Sequence, residues 1–393
     1  MGLFVPSKDI ILFSTADWDT PYWTNKQHTT KHLEKMGYRV LYIETVGIRA
    51  PKLHSGRDLG RLWRRLKLGL KGPRKVENRI WVLAPLLIPI KHHWPLIRWL
   101  NKKLLTLFIQ LFMKKNTFSE PIIWTYHPFM LGAIQGISHS KVVYHCVDDL
   151  SAVPGVDIEA YKNEEKFLLK QCDIVFTTSD VLTEQCKQFN DNVHFLPNVV
   201  DYEHFSSARN VDVLPEDLSC IPEPRIGYIG VLSDFKVDFD LIYAVAIERK
   251  DWHWVLIGEE REGQSSGKVR KLALLSNVHF LGYRAYDKLP QYLSGMAVAT
   301  LPTLINKYTT SMFPMKYFEY LAAGVPVVST PLGFTKKHAS GMRVAHNGKL
   351  FIQAIELSIS KGHFNFDKSR KYIGNNTWED RLKKMLGLLG CVT

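Results

Sequence analysis

Short apolar runs alternate with amphipathic segments along the first half of the chain. The apolar runs have the length of strands and are bounded by turn residues, whereas longer segments between some of them carry apolar positions at helical spacing. The predicted strands are residues 9–14, 39–44, 121–125, 141–145, 173–179 and 193–197, and the predicted helices are residues 25–36 and 157–170. This alternation is typical of a parallel, doubly wound sheet.

A second series of the same kind begins at residue 225. Its predicted strands are residues 225–230, 254–258, 278–281, 298–301 and 325–329, and its predicted helices are residues 238–249, 289–295, 314–323 and 378–389. We therefore predict an α/β protein with two Rossmann-like domains. The predicted domains are residues 1–200 and 225–370, joined by a linker over residues 201–224 that is rich in Asp, Glu, Ser and Pro, and followed by a helical segment over residues 371–393.

The positive charge of the chain is concentrated in one region. The 393 residues carry a formal net charge of +13, but residues 49–115 alone hold 17 Lys and Arg against two acidic residues, a net +15. Within this insertion, residues 59–71 and 94–115 alternate cationic residues with apolar residues or Trp at helical spacing. Such helices lie in lipid interfaces and favour anionic headgroups, so we expect docking on an anionic membrane surface.

Two other interpretations of these basic segments stay open. The apolar stripe could be ordinary core, with the charges on a solvated face, or the charges could bind nucleic acid. No nucleic-acid-binding motif accompanies them, and no nucleic-acid partner is expected.

The cysteines and the apolar runs narrow the class of protein. The five cysteines lack CxxC or Cys/His metal spacing, so we predict reduced thiols, no disulfide framework and no structural metal. The N-terminal residues lack the features of a signal peptide, and the longest apolar run, residues 104–113, is too short to cross a bilayer. We expect a cytoplasmic protein, peripheral at the inner face of the cell membrane.

Residues 298–333 carry the strongest functional signal, because they combine a strand, a polar loop, a short helix and a second strand. Pro314 suits the first helical position, and Gly324 suits the end of the helix. Lys316 and Glu319 share one helix face, which places a cation near a bound diphosphate and a carboxylate one turn further in, where it can accept two sugar hydroxyls. The polar residues expected to offer hydroxyls and free N–H groups to the diphosphate are Thr309, Thr310 and Ser311.

The FEYLAAG text within this stretch resembles the donor-binding segment of GT-B glycosyltransferases similar to glycosyltransferase family 4. Glu319 matches the family's ribose-binding Glu, whereas Ser311 stands where the family usually has a second Glu that contacts the donor sugar. The resemblance implies the GT-B fold, in which two Rossmann-like domains face each other across a cleft. It also implies donor binding by the second domain, acceptor binding by the first, and a last helix that returns to the first domain.

Further matches to this family lie at the ends of predicted strands. Gly230 and Lys236 match part of its G-R-L-x-x-x-K pattern, although Val231 replaces the Arg. Without that cation, the phosphate charge would be met by Lys236, Lys316 and the helix start, or by Lys307 or Arg284 on neighbouring loops. The residues that match the family's nucleobase-binding turn are Gly282, Tyr283 and Arg284.

In the first predicted domain, candidate residues follow the strands and so lie at the crevice edge of the sheet. The segment DWDTPYWTNKQH, residues 17–28, resembles bacterial transferases of the teichuronic acid and capsule assembly type, and its aromatic and polar residues suit sugars. The candidates for sugar contacts are Asp17, Trp18, Asn25 and His28. The candidates for a base or for orienting the acceptor hydroxyl are His127, His145, Asp148 and Asp149, each of which could instead make a structural hydrogen bond.

We therefore predict a glycosyltransferase that moves a sugar from a nucleoside-diphosphate sugar to a surface polysaccharide or lipid-linked glycan. The resemblance favours a retaining outcome, and an inverting relative would need an Asp or His base. No cofactor or metal is expected, because the chain has no dinucleotide fingerprint, no P-loop Lys and no DxD flanked by strand sequence. The alternatives are a sugar-nucleotide epimerase of the same fold and a noncatalytic membrane-docking or nucleic-acid-binding scaffold. Donor, acceptor and oligomeric state stay open.

Overall fold

The computed structural model describes residues 7–44, 69, 72–85, 95–260 and 265–391, and these residues fold into two compact units. The first unit comprises Met1–Leu196 and Leu382–Thr393, and the second comprises Pro197–Arg381. The described residues contain no helix that is both long enough and apolar enough to span a bilayer.

The first unit is built on an eight-stranded sheet in the order β3-β4-β2-β1-β5-β6-β7-β8. All five residues of β1 are buried, as expected for a strand that is covered on both faces of its sheet. The strands are β1 Asp9–Phe13, β2 Arg39–Ile43, β3 Arg74–Glu77, β4 Ile80–Leu83, β5 Ile122–Thr125, β6 Lys141–Cys146, β7 Ile174–Thr177 and β8 Val193–Phe195.

Helices cover this sheet, and a separate apolar cluster fills each face. The helices are α1 Asn25–Lys35, α2 Pro95–Asn116, α3 Leu131–Ile134, α4 Ile158–Gln171 and α5 Asp180–Lys187, with 3₁₀ turns at Pro128–Met130 and Leu150–Ala152. One cluster contains Leu105, Ile109 and Phe112 of α2.

The basic insertion contains a β-hairpin that the sequence analysis did not predict. β4 pairs with β2 in parallel, and β3 pairs with β4 in an antiparallel arrangement at the edge of the sheet, so the prediction of a wholly parallel sheet is wrong at this edge. Ile80 and Val82 are buried because their side chains point into the apolar cluster on one face. Most of residues 59–71, predicted to be an amphipathic segment, lies outside the described residues.

The second unit is built on a six-stranded parallel sheet in the order β11-β10-β9-β12-β13-β14. Its strands are β9 Arg225–Ile229, β10 His253–Ile257, β11 Val278–Gly282, β12 Val298–Leu301, β13 Val327–Ser329 and β14 Met342–Val344. Its helices are α6 Tyr202–Ser206, α7 Glu216–Ser219, α8 Phe239–Glu248, α9 Gly267–Leu272, α10 Leu289–Ser294, α11 Lys307–Thr310, α12 Met315–Ala323, α13 Gly348–Lys361 and α14 Phe366–Ile373, with 3₁₀ turns at Ser207–Asn210, Tyr286–Lys288 and Gly333–Lys336. The last helix, α15 Trp378–Leu388, begins in the second unit, and its residues from Leu382 onward belong to the first.

The segment predicted to be a linker, residues 201–224, is folded and belongs to the second unit. It forms α6, a 3₁₀ turn and α7, and its apolar side chains Tyr202, Phe205, Leu218 and Ile221 join the apolar cluster of that unit. Its polar composition reflects the exposed face of short helices, while the spaced apolar residues supply the buried face.

The last helix contributes to the core of the first unit. Leu382, Met385, Leu386 and Leu389 are all buried there, in the cluster that also contains residues of β1 and β2. Their spacing is that of one helix face, which is why this short segment packs as an amphipathic helix.

Each sheet has one position where the chain connections diverge. In the first sheet, β1 is followed by its neighbour β2 on one side, whereas β5, its other neighbour, is followed by β6 in the opposite direction. In the second sheet, β9 and β12 are related in the same way. Ligands of doubly wound sheets bind at the carboxyl ends of the strands beside such a switch point.

Candidate functional site

Three glycines lie at the carboxyl ends of β9, β10 and β11, the three strands on one side of the switch point of the second sheet; we call them the glycine edge. Gly230 and Gly258 follow β9 and β10, Gly282 ends β11, and all three have positive φ, at 159°, 142° and 70°. Gly230 N donates to Ile257 O at 2.9 Å, and Gly258 N donates to Gly282 O at 2.8 Å. A Cβ at Gly258 would lie 1.9 Å from Gly230 O, so this edge requires glycine there. From the sequence, Gly258 is predicted only as the last residue of a strand.

The loop after Gly230 is fastened to the loop after β12. Leu304 N donates to Lys236 O at 2.8 Å, and Asn306 Nδ2 donates to Phe235 O at 2.7 Å. Lys236 Nζ lies 3.2 Å from Tyr308 Oη and 4.6 Å from the centre of the Tyr308 ring. The predicted phosphate-binding Lys236 is thus held at the switch point by the neighbouring loop.

The predicted hydroxyl donors ahead of α12 are committed to their own segment. Thr309 Oγ1, Thr310 Oγ1 and Ser311 Oγ donate to backbone carbonyls of residues 304–308. The N–H groups of the same three residues are bonded within residues 306–311, because Asn306 caps the short helix α11. The expectation that these groups are free for a phosphate is therefore wrong.

α12 places a buried carboxylate near the start of a helix. Pro314 is the residue before the first helical position, one residue earlier than predicted, and Gly324 ends the helix at φ 85° as predicted. Lys316 Nζ lies 2.5 Å from Glu319 Oε2, which confirms that the two side chains share a face. Glu319 is 3% exposed, yet its Oε1 accepts no hydrogen bond from any described residue.

The loop before α12 is fixed from the start of the second unit. Asn198 Nδ2 donates to Phe313 O at 2.5 Å, and Asn198 is itself buried. This asparagine lies at the edge of the predicted linker, and the sequence carried no signal for its partner, which is 115 residues away.

Tyr286 completes the surroundings of Glu319. The imidazole of His204 stacks on the Tyr286 ring with centroids 4.5 Å apart, and His204 Nε2 is 2.9 Å from Tyr286 O. Burial, together with the negative charges of Glu319 and Asp201, raises the pKa of Tyr286, so its phenol is neutral at physiological pH. A neutral hydroxyl near the carboxylate adds polarity without adding charge.

Arg284 is engaged in a structural cluster. Its Nη2 donates to Asp217 Oδ2, and its Nε donates to Tyr292 Oη at 2.6 Å. Tyr292 Oη also donates to Asp217. The guanidinium therefore joins the strand-end loop to α7, and the expectation that Arg284 could meet a phosphate is not supported by its partners, whereas Gly282 and Tyr283 lie beside it on the glycine edge.

In the first unit, the predicted sugar-binding segment is largely packed. Trp18 is 7% exposed and lies 5.1 Å from Tyr42 and 5.6 Å from Trp23 by ring centroids. Asn25 and His28 are 5% and 3% exposed. The aromatic faces expected to cover a sugar are thus in contact with other rings, although Asp17 is half-buried at the same edge.

Two of the base candidates are held in structural contacts. His145 is buried, accepts a hydrogen bond from Trp124 Nε1 at 3.3 Å through Nδ1, and stacks on Tyr126 at 4.8 Å. Asp149 Oδ1 accepts hydrogen bonds from Ser151 N and Ser151 Oγ, so it caps the 3₁₀ turn that follows β6. These contacts occupy His145 Nδ1 and Asp149 Oδ1.

The other two base candidates, His127 and Asp148, have different surroundings. His127 Nδ1 accepts a hydrogen bond from Phe129 N, and its buried Nε2 has no partner among the described residues. Burial lowers the pKa of His127 from 6.5 to about 4, so the ring is neutral at physiological pH. Asp148 is half-buried, and its negative charge favours the protonated form of the Lys26 amine. Lys26 lies in the predicted sugar-binding segment but was not among the predicted contact residues.

In each unit, the residues that could bind a ligand therefore follow the carboxyl ends of the strands near the switch point of its sheet. In the second unit these are the glycine edge, Lys236, Lys316 and Glu319; in the first they are Asp17, Lys26 and Asp148. The described residues contain no group of three or more His, Cys, Asp or Glu side chains placed to hold a metal ion.

Comparison with known protein families identifies the second unit. Residues 223–360 match the family described as Glycosyl transferases group 1. The chain is also 28% identical over 218 residues to the putative teichuronic acid biosynthesis glycosyltransferase TuaH of Bacillus subtilis (strain 168). The match covers 51% of this chain and 53% of the relative, so the chain spans about half the length of the curated relative that it matches.

Solved structures resemble the whole chain. Sucrose-phosphate synthase from Thermosynechococcus elongatus superposes with a TM-score of 0.71 at 15% identity, covering 97% of this chain and 98% of its own. Anabaena HepE, determined in complex with UDP and glucose, gives a TM-score of 0.62 at 15% identity, covering 98% and 100%. A glycosyltransferase from Rickettsia africae gives 0.68 at 15%, covering 98% of each chain. These likenesses confirm the predicted fold class of two Rossmann-like units.

Proposed function

We propose that the chain transfers a sugar from a nucleoside-diphosphate sugar to a surface polysaccharide or lipid-linked glycan, because residues 223–360 match the group 1 glycosyltransferases and the chain is similar to a putative teichuronic acid biosynthesis glycosyltransferase. The donor binds the second unit, at the glycine edge and the start of α12. The acceptor binds the first unit, at the carboxyl edge of its sheet.

The observation that carries this proposal is the half-satisfied carboxylate of Glu319. A buried carboxylate normally has hydrogen-bond donors for both oxygens, because an unpaired one costs its full desolvation. Here Lys316 serves Oε2, whereas Oε1 accepts no hydrogen bond from the described residues and is not among the fully buried atoms, so a ligand can reach it. Two adjacent ribose hydroxyls supply the missing donors, and the Lys316 ammonium lies one turn nearer the helix start, where a diphosphate is favoured.

The phosphates meet a backbone surface beside this carboxylate. Glycines 230, 258 and 282 let the strand ends approach a ligand without side chains in between, and Lys236 adds a cation at the same switch point. The HepE complexes with UDP support a uridine nucleotide as the donor, and the name of the Bacillus relative supports an acceptor in teichuronic acid biosynthesis.

Isothermal titration with UDP tests the donor site. We expect Glu319→Gln to weaken UDP binding by about 10- to 100-fold, because each hydrogen bond to a charged group contributes about 1.5–3 kcal/mol and Gln keeps the shape of the side chain. Glu248→Gln, an exposed residue of α8, is the matched control and leaves the affinity unchanged. Equal affinity of the wild type and the Glu319 variant would remove the basis of the proposal.

Turnover separates transfer from the alternative of epimerisation. The wild-type protein, incubated with UDP-glucose and wall glycan extracts, releases UDP in proportion to acceptor added. Conversion of the donor sugar without UDP release would identify an epimerase instead.

We also propose that α2 docks the first unit on an anionic membrane. Leu105, Ile109 and Phe112 of this helix are buried in the core, but the opposite face carries a second apolar stripe. The stripe comprises Leu96, Leu100, Leu107 and Leu111, between 40% and 64% exposed, with Trp99 at its side and Lys103, Lys114 and Lys115 exposed around it. A helix with apolar residues on both faces exposes surface that water does not favour, and the surrounding lysines suit anionic headgroups.

Vesicle sedimentation tests this surface. The double variant Leu107→Gln with Leu111→Gln should lower binding to vesicles that contain phosphatidylglycerol by about tenfold or more, since each buried Leu contributes about 1.5–3 kcal/mol. Leu274→Gln, 85% exposed in the second unit, is the control. Equal binding by the double variant and the wild type would contradict the proposal.

A further inference from the structure

Lys26 is a buried cation at the edge of the first sheet. It is the second residue of α1, the helix that follows β1, and only 6% of its surface is exposed. Its Nζ lies 5.4 Å from the centre of the Tyr126 ring, which follows β5. The amine therefore lies between the two connections that diverge from the switch point of this sheet.

The ammonium has three protons to donate, and no described residue is found to accept them; Nζ is not among the fully buried atoms without a partner, so it can be reached from solvent. The Tyr126 ring and the charge of Asp148 are its electrostatic partners. Burial lowers the pKa of Lys26, and the Asp148 charge opposes that shift. A mostly buried lysine without a protein acceptor forms no hydrogen bond that stabilises the unit, so the packing of the unit does not account for a lysine here.

Two neighbouring side chains of α1, unlike Lys26, have hydrogen-bond partners within the protein. Gln27 Nε2 donates to Asp17 O at 3.0 Å and Gln27 Oε1 accepts from Thr24 N, while Thr29 Oγ1 accepts from Tyr126 Oη at 3.0 Å. These side chains have protein partners that explain their burial. Among these three side chains, Lys26 is the one for which the structure gives no hydrogen-bond partner.

We propose that Lys26 binds a negatively charged group of the acceptor substrate, a phosphate or a carboxylate. This inference rests on the proposed transfer reaction and adds that the acceptor is anionic next to its reacting hydroxyl. An oxyanion supplies the acceptors that the ammonium lacks, and the carboxyl edge at a switch point is where ligands of such sheets bind. The Tyr126 ring, which stacks on His145, also attracts the cation.

Thermal unfolding in the presence of small anions tests the inference. The probes are sodium phosphate and methyl β-glucuronide, which carry the two candidate anions, at about 10 mM, a concentration at which millimolar binding raises the unfolding temperature measurably. The wild type should respond to at least one probe. Lys26→Met should lose that response while its own unfolding temperature stays equal or rises, because the variant keeps the buried stem and removes a mostly desolvated charge that has no protein acceptor.

A control and a second measurement separate the possible outcomes. Lys35→Met, exposed at the end of the same helix, should respond like the wild type. UDP affinity of Lys26→Met should be unchanged, so a tenfold loss would assign the anion to the nucleotide and overturn the inference. A Lys26→Met protein that is less stable but still responds to the probes, or a wild type that responds to neither, would overturn it too. Failure of UDP to bind the wild type would instead refute the proposed transfer reaction.

Discussion

Substituting Gly258 by alanine tests how closely the strand ends of the second unit are packed. The new Cβ would lie 1.9 Å from Gly230 O, whereas real Cβ atoms essentially never approach within 3.0 Å, so two backbone segments must separate by about 1 Å. The residue also has φ +142°, a conformation that alanine rarely adopts. Backbone strain of this kind costs about 1–3 kcal/mol and overpacking costs about as much again, which gives a loss of about 3 kcal/mol or more.

Differential scanning calorimetry measures this loss. In a domain of 150–250 residues each kcal/mol moves the midpoint by about 2–4 °C, so Gly258→Ala should lower the unfolding temperature of the second unit by about 6–12 °C. UDP should also bind more weakly, because Gly258 N holds the end of β11 through Gly282 O. Gly267→Ala is the matched control: its Cβ meets nothing nearer than 3.8 Å, and the change should stabilise α9 by about 0.4–1 kcal/mol. A midpoint for Gly258→Ala within 1 °C of the wild type, on the scale of about 2–4 °C per kcal/mol, would refute the reasoning.

Three further outcomes follow from single side chains. In the unfolded protein His127 is protonated below about pH 6.5, whereas in the folded protein its buried ring is protonated only below about pH 4. The free energy of unfolding therefore falls by about 3 kcal/mol as the pH is lowered through this window. His127→Phe should flatten that part of a urea-unfolding profile against pH, whereas the exposed His346→Asn should not; identical profiles for His127→Phe and the wild type would contradict the burial argument. Arg284→Met should lower the unfolding temperature and leave the UDP affinity within about twofold of the wild type, since the guanidinium bonds to Asp and Tyr side chains. A loss of UDP affinity of more than about tenfold would show that Arg284 is a phosphate ligand after all. Asn306→Ala removes a helix cap worth about 1 kcal/mol and also the bond to Phe235 O, so calorimetry and UDP titration should both show a loss, whereas the cap variant Asn365→Ala should lower stability alone.

The predicted donor segment shows where local sequence is informative and where it is not. The i, i+3 spacing of Lys316 and Glu319 fixes a shared helix face whatever surrounds the helix, and the predicted ion pair is present. The roles given to Thr309, Thr310 and Ser311 required that no nearby group compete for them. Asn306 does compete, because a capping asparagine turns residues 307–310 into a helix and uses their N–H groups.

The first unit shows the same limit for longer distances. The loop after β1 was placed correctly at the edge of the sheet, because strand-then-helix order dictates that edge. Residues far along the chain decide which side chains of this loop can contact a ligand. Tyr42 packs against Trp18, and the Tyr126 ring lies under the amine of Lys26. Sequence spacing does not encode these pairings, so Trp18 was expected to be open and Lys26 was passed over.

The sequence by itself determined the alternation of strands and helices, the two Rossmann-like series, the family resemblance and the positions of Glu319, Lys316 and Gly324, since each follows from local periodicity or from a short contiguous motif. Only the tertiary structure decided that residues 201–224 fold into the second unit, that the basic insertion supplies an edge hairpin, that Gly258 admits no side chain, and that Lys26 is buried without an acceptor. These features arise where strands distant in sequence become neighbours, and neighbours in space decide which polar atoms are satisfied and which remain open to a ligand.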